Sequence, residues 1–251
     1  MVHIVGAGCG APDLITLRGK KHIENADVII YAGSLVNKEL LQYAKKECTI
    51  YDSAKMTLEE IIDVIAAAEK DGLTTVRLHT GDPSIYGAIR EQMQELDKLG
   101  IRYDITPGVS AFSGAAAALK AEYTLPDVSQ TVIITRAAGR TGVPGSEDLR
   151  SLASHGATLV LYLSAGLLDK VEGDLIAGGY NAGTPAAIVY KASWKDEKVC
   201  RCTVGTLKQT AETNGITKTA LIVIGEFLDS SFSRSCLYDP GFSTEFREAS
   251  K

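Results

Sequence analysis

The feature that most constrains the fold is an alternation. Over the first 120 residues, short β-rich runs take turns with helical stretches. Runs at 3–5, 27–31 (DVIIY), 49–52, 75–79 and 102–105 read as strands. Stretches at 16–25, 57–71, 85–99 and 110–119 read as helices. The second of these helices is the clearest. Thr57 and Glu60 form a T-x-x-E capping box, and Ile61, Val64, Ile65 and Ala68 supply an apolar stripe at helical spacing. Strands that alternate with helices predict a mostly parallel sheet with helices on its faces. Ligands bind such sheets at the carboxyl ends of the strands. Three loops fall there: GAGCGAPD after the first strand, TGDPSIYG from Thr80, and TPGVSAF from Thr106.

The second half has another pattern. Residues 120–130 (KAEYTLPDVSQ) read as a linker, which places a boundary near Ala121 and divides the chain into domains 1–120 and 121–251. Strands are predicted at 131–135, 158–163, 186–190, 198–203 and 219–224, with a helix at 167–178. A turn at Trp194-Lys195-Asp196 joins two of these strands as an antiparallel hairpin. The expected fold class is α/β. The N-terminal domain carries the mostly parallel sheet, and the C-terminal domain carries a mixed sheet with fewer helices. The tail from Asp229 is polar and broken by Ser, Gly and Pro, and reads as extended along the surface or partly disordered.

Composition narrows the function. Hydrophobic residues are 45% and charged residues 23% of 251, as in ordinary globular proteins and unlike disordered or collagenous chains. With 26 basic and 31 acidic side chains the formal charge is −5, which gives no electrostatic reason to bind nucleic acid, and at 6% the aromatics are too sparse for a stacking platform. No apolar run reaches the ~18 residues of a membrane span. The N-terminal MVHIVGAG reads as a strand and not as a signal peptide, and scattered thiols fit a reducing compartment, so the expectation is a cytoplasmic protein. The five cysteines contain no C-x-x-C pair. The four histidines show no i, i+4 pair and none lies near a nucleophile elbow, so neither a metal site nor a catalytic triad is expected.

Gly6, Gly8 and Ala11 satisfy G-x-G-x-x-A, the dinucleotide fingerprint, in which glycines let a phosphate approach main-chain N–H groups at a helix start. Pro12 falls where that helix should be running, and DVIIY lacks the acidic residue that would bind the ribose. A nicotinamide-dependent oxidoreductase is therefore the weaker reading, beside a tight glycine turn. Asp82 reads as an N-cap or as a carboxylate at the ligand rim. Arg136 and Arg140 read as solvated arginines or as guanidinium forks for a polycarboxylate or phosphate.

The ordered motifs VGAGCGAPDLITLRG, YAGSLVN, YDSA, TGDPSIYG, PGVSAFSGAAA, EYTLPDVSQ, IITRAAGRT, LASH, YLS, VYKASW and TALIVIGEF add a resemblance. They are similar to those of the tetrapyrrole (corrin and porphyrin) methyltransferases, over about residues 2–246. YAGSL, EYTLPDVSQ, IITRAAGRT and the tail SRSCLYDPGFSTEF resemble the branch that acts at C-11 of precorrin-4 or cobalt-precorrin-4 in cobalamin biosynthesis. The resemblance implies S-adenosylmethionine as donor, S-adenosylhomocysteine as product, a cleft between two α/β domains, a homodimer and no protein-bound metal. Carried over by motif, it implies a donor pocket of Thr80, Gly81, Asp82, Ile85, Ser110, Ala111, Leu163, Ala187, Ala220 and Leu221. The glycine loop departs from the family's GAGPGDP at Cys9 and Ala11, and Leu163 stands where relatives often carry Met. An acidic protein that takes a polycarboxylate ring needs a local positive trough, for which Arg18, Lys55, Arg136, Arg140 and Lys191 are candidates. Asp82 and Tyr86 are the candidate catalytic residues. Alternatives are a methyltransferase for another precorrin or for uroporphyrinogen, and a non-catalytic carrier or sensor.

Overall fold

A computed structural model describes residues 1–229 and 231–250. Its contacts divide the chain into two units. The first is Met1–Ala115 with Lys191–Glu197, and the second is Ala116–Tyr190 with the chain from Lys198 on.

In the first unit the alternation becomes β1 (Val2–Gly6), α1 (Leu17–Asn25), β2 (Val28–Tyr31), β3 (Thr49–Asp52), α2 (Leu58–Lys70), β4 (Thr75–His79), α3 (Ile89–Lys98) and β5 (Tyr103–Thr106). Helix α4 (Ala111–Leu119) carries the chain into the second unit. The strands form one sheet in the order β3-β2-β4-β1-β5, with every pairing parallel. Strands β2 and β4 are wholly buried, as the continuous apolar run VIIY requires when helices cover both faces. Val2, Ile4 and Ile30 pack on one face with Ile61, Ile65 and Leu96. Val5, Ile29, Val76 and Leu78 pack on the other with Ile23 and Leu40. The predicted capping box at the start of α2 is present in both directions.

One helix differs from expectation. Residues 85–88 are not helical, and α3 begins at Ile89, because Tyr86 and Ala88 hold left-handed backbone (φ 54° and 49°). The turn is tight enough that a Cβ on Gly87 would sit 2.1 Å from the Pro83 carbonyl oxygen.

The second unit contains β6 (Val132–Arg136), α5 (Leu149–Ala153), β7 (Thr158–Tyr162), α6 (Leu168–Ala177), β8 (Pro185–Tyr190), β9 (Lys198–Thr203), α7 (Leu207–Asn214) and β10 (Ala220–Ile224). The sheet order is β6-β7-β10-β8-β9. Only β6–β7 is parallel, and β8–β9 is the expected antiparallel hairpin. Leu159, Leu161, Ile188, Ile222 and Ile224 form a core with Val171, Leu175 and Leu207 from the helices. Val160, Ala187, Val189, Leu221 and Val223 alternate onto the opposite face, which is also buried. Helices α5 and α7 were not anticipated. Both are short, and α7 (LKQTAETN) has little apolar periodicity; its clearest signal is Gly215, which ends it in left-handed backbone at φ 67°. The tail carries a short 3-10 turn at Cys236–Tyr238. Among the described residues no helix is long and apolar enough to cross a membrane.

Candidate functional site

In the parallel sheet β1 lies between β4 and β5, so the three glycine-bearing loops leave neighbouring strand ends. They meet main chain to main chain. Ala7 N–H donates to the His79 carbonyl (2.7 Å), Gly8 N–H to Gly81 O (3.2 Å) and Gly81 N–H to Gly8 O (2.9 Å). A Cβ on Gly6 would lie 2.6 Å from both Gly108 N and Gly81 O, and one on Gly108 would lie 2.1 Å from Gly81 O. Side chains are sterically excluded at these positions. Gly81 is also at φ 60°, and its own Cβ position is 3.5 Å from Ala111 N and 3.7 Å from Ser110 Cα. Thr80, Gly81, Asp82, Ser110 and Ala111 are thereby brought together at one sheet edge.

Asp82 fastens two of the loops. One carboxylate oxygen accepts from Gly108 N–H (2.9 Å), and the other accepts from Ser84 N–H (2.9 Å) and the Ser84 hydroxyl. Burial opposes its charge, but the hydrogen bonds from Ser84 and Gly108 outweigh it and hold the carboxyl below its usual range. A carboxylate so engaged is a weak base and a good brace. Ile85 closes the turn, its N–H donating to Asp82 O (3.2 Å), and the Tyr86 side chain is exposed. The Thr80 and Thr106 hydroxyls at this edge are buried and have no hydrogen-bond partner among the described residues. The same holds for Nε2 of His79, whose imidazole is pushed down to about 3 by burial and by Arg77. Buried polar atoms are normally satisfied by protein, by water or by a ligand. Gly6 was singled out only as part of G-x-G-x-x-A, and Thr106, His79 and Gly108 were not singled out as site residues from the sequence. The Pro-Gly at the end of β5 was the available signal for the last.

The glycine loop does not present a phosphate cradle. The N–H groups of Ala7 and Gly8 are spent on β4 and Gly81, and that of Ala11 donates to Ser193 Oγ (3.0 Å). Gly10 lies under Trp194, where a Cβ would come within 2.2 Å of the indole, and the indole N–H donates to Cys9 O (3.1 Å). Helix α1 starts only at Leu17, capped by Thr16. Together with the missing acid after β2, this removes the support for a nicotinamide enzyme. Lys191, at φ 47°, pairs with Asp196 (2.6 Å) and lies 5.3 Å from the Trp194 ring centre.

In the second unit Leu163 follows β7 with left-handed backbone (φ 52°) and is 68% exposed. A branched side chain seldom adopts that conformation. Ser164 secures the turn, its hydroxyl accepting from Ala137 N–H (2.9 Å) and donating to Tyr162 O (2.7 Å). Ala187 and Leu221 share one buried sheet face, whereas Ala220 points into the core on the other, so only its main chain is available to a ligand on the Leu221 side. Arg136 donates to Thr141 O (3.1 Å) and to Gly142 O, closing the RAAGRTG loop, and Arg140 is exposed on it. Arg18 and Lys55 are exposed on the first unit.

Residues 1–208 match the family of Tetrapyrrole (Corrin/Porphyrin) Methylases. The chain is 56% identical over 251 residues to a cobalt-precorrin-4 C(11)-methyltransferase of Methanocaldococcus jannaschii, covering 100% of this chain and 97% of that one. It is similar in structure to a cobalt precorrin-4 methyltransferase described as a cobalamin biosynthetic enzyme, with a TM-score of 0.90, 47% identity, and coverage of 91% and 96% of the two chains. It is also similar to the uroporphyrin-III C-methyltransferase of Thermus thermophilus in complex with S-adenosylhomocysteine, with a TM-score of 0.76, 25% identity, and coverage of 91% and 93%. The chain belongs to the tetrapyrrole methylase family.

Proposed function

We propose that this protein transfers a methyl group from S-adenosylmethionine to C-11 of cobalt-precorrin-4. The observation that carries the reading is the 56% identity to an enzyme of that name along the whole chain. The likeness to an enzyme in complex with S-adenosylhomocysteine supports the donor. The strand ends of the first unit fit such a donor in offering no phosphate cradle, since the N–H groups of Ala7 and Gly8 are already spent, while the Thr80 and Thr106 hydroxyls at this edge are buried and unpartnered among the described residues.

The donor supplies a methyl group already activated on a sulfonium, and an electron-rich ring carbon displaces it in line. The protein's task is then to align and to exclude water. Such orientation is worth about 7–11 kcal/mol. Thr80, Gly81, Asp82, Ile85, Ser110 and Ala111 hold the donor from the first unit, with Asp82 as a brace that fixes the loops. Leu163, Ala187, Leu221 and the main chain of Ala220 hold it from the second. Tyr86, exposed and able to accept or donate a proton, is the remaining candidate for proton removal after attack. Arg18, Lys55, Arg140 and Lys191 bind the carboxylates of the ring, and Arg136 shapes the loop that bears Arg140. The family resemblance adds a cytoplasmic homodimer to the proposal.

The test is incubation with methyl-labelled S-adenosylmethionine and cobalt-precorrin-4, with the new methyl located by NMR. Label at C-11 is the expected result. Label at another carbon assigns the protein to a different step, and binding of both ligands without transfer makes it a carrier.

A further inference from the structure

The sequence offers no histidine pair, yet the fold makes one. His3 on β1 and Asp104 on β5 are register partners in the parallel sheet, so their side chains leave the same face. His22 on α1 lies over that face, its ring stacked on that of His3 with centroids 3.8 Å apart and 24° between planes. His3 Nδ1 is 2.8 Å from the Asp104 carboxylate. One ligand atom from each of His3, His22 and Asp104 falls within 4.8 Å of the others. The Nε2 of His22 is buried with no hydrogen-bond partner. The Asp104 side chain is 46% exposed, which leaves one side open to water.

We propose that His3, His22 and Asp104 bind a first-row divalent transition-metal ion of the zinc or cobalt type. Two imidazoles and one carboxylate are a donor set such ions take, with water completing the shell. Metal–nitrogen distances of about 2.0–2.1 Å place two ligand atoms no more than about 4.2 Å apart. A tetrahedral shell sets them closer, roughly 3.4 Å apart, so binding requires the cluster to close by about an ångström or more and the two imidazoles to rotate out of their stack until both lone pairs face the ion. An ion there would satisfy His22 Nε2 and tie β1, β5 and α1 together. The site is separate from the methyl-transfer loops: His3 is three residues before Gly6, or roughly 10 Å along the strand. Arg18, one turn earlier on α1, repels a cation near His22 and weakens the site.

The test is calorimetric titration of the tag-free, chelator-treated full chain with zinc, repeated with cobalt while visible absorption is followed. One saturable site is expected, with the absorption of a nitrogen-ligated cobalt ion. His22→Gln and Asp104→Asn should each weaken binding at least about tenfold, while His155→Gln, a change at an exposed histidine of the second unit, leaves it unchanged. Circular dichroism establishes that each variant is folded. Absence of saturable binding at millimolar metal overturns the proposal, as does equal affinity in the two ligand variants.

Discussion

At the ends of β4, β1 and β5 the first unit sets backbone against backbone. Gly6, Gly81 and Gly108 are packed so closely that a Cβ on Gly108 would lie 2.1 Å from a carbonyl oxygen. At the end of β7 the second unit does the reverse. Leu163 keeps a large apolar side chain in left-handed backbone and 68% exposed, where glycine would be relaxed and a polar residue better solvated. In the first place the protein's own sterics dictate the residue. In the second nothing within the described unit does. Substitutions in the first unit should therefore act through the fold, and those at Leu163 through the ligand.

The sharpest way to break this contrast is Gly108→Ala. The methyl group forces the loops of β4 and β5 apart and removes the Gly108–Asp82 hydrogen bond. Overpacking of this kind costs about 1–3 kcal/mol or more. Denaturant unfolding should show the loss, and calorimetry should show that S-adenosylhomocysteine no longer binds. Wild-type behaviour in both would mean that the loops are not closed on one another. Asp82→Asn is the milder form. It keeps the shape but leaves one acceptor oxygen for two main-chain donors. Losing a hydrogen bond to a charged group is worth about 1.5–3 kcal/mol, so donor affinity should fall tenfold or more. Unchanged affinity would remove Asp82 from the donor site.

Acid should separate the units. His79 is buried in the first unit, and its pKa of about 3 lies below an unfolded value near 6.5. Its contribution is present above the unfolded pKa and is lost as pH falls toward the folded one, because only the unfolded chain takes up the proton. The slope approaches ~1.4 kcal/mol per pH unit in that window. The second unit's histidine, His155, is exposed. Trp194, the single tryptophan, belongs to the first unit and reports on it by fluorescence. Acid titration should perturb it before the far-ultraviolet signal of the whole chain changes, and His79→Gln should flatten the dependence. Coincident transitions in the wild type would contradict the assignment.

How much was legible follows the same division. The first unit is a repeated βα pattern, so period and capping residues located its strands and its α-helices, with one boundary displaced, but not the 3-10 helix at Lys38–Tyr43. That boundary moved because Tyr86 and Ala88 take a backbone conformation that propensity disfavours. In the second unit β8–β9 was readable from Trp194-Lys195-Asp196, but α7 was not, since packing and not periodicity holds it. The glycine-rich loops were legible as ligand-bearing. Their mutual contact was not, because sterics between distant segments leave no local pattern. The pairing of His3 with His22 was hidden for the same reason: register across β1 and β5 and the placement of α1 create it.

The smallest effect is the most discriminating. Leu163→Gly removes a side chain that is mostly in solvent and relieves left-handed backbone that costs roughly 1–2 kcal/mol for an L residue. Against this stands the greater freedom of glycine in the unfolded chain, about 0.5–1 kcal/mol. The two nearly cancel, so unfolding free energy should stay within about 1 kcal/mol of wild type, on the stable side. The affinity for S-adenosylhomocysteine should nevertheless fall, because the apolar surface at the end of β7 is gone. Stability lost with affinity unchanged would show that Leu163 packs within the protein, and the contrast between the two units would then dissolve. A gain in stability with a loss of affinity would identify the strain at Leu163 as one the fold tolerates for the sake of what it binds.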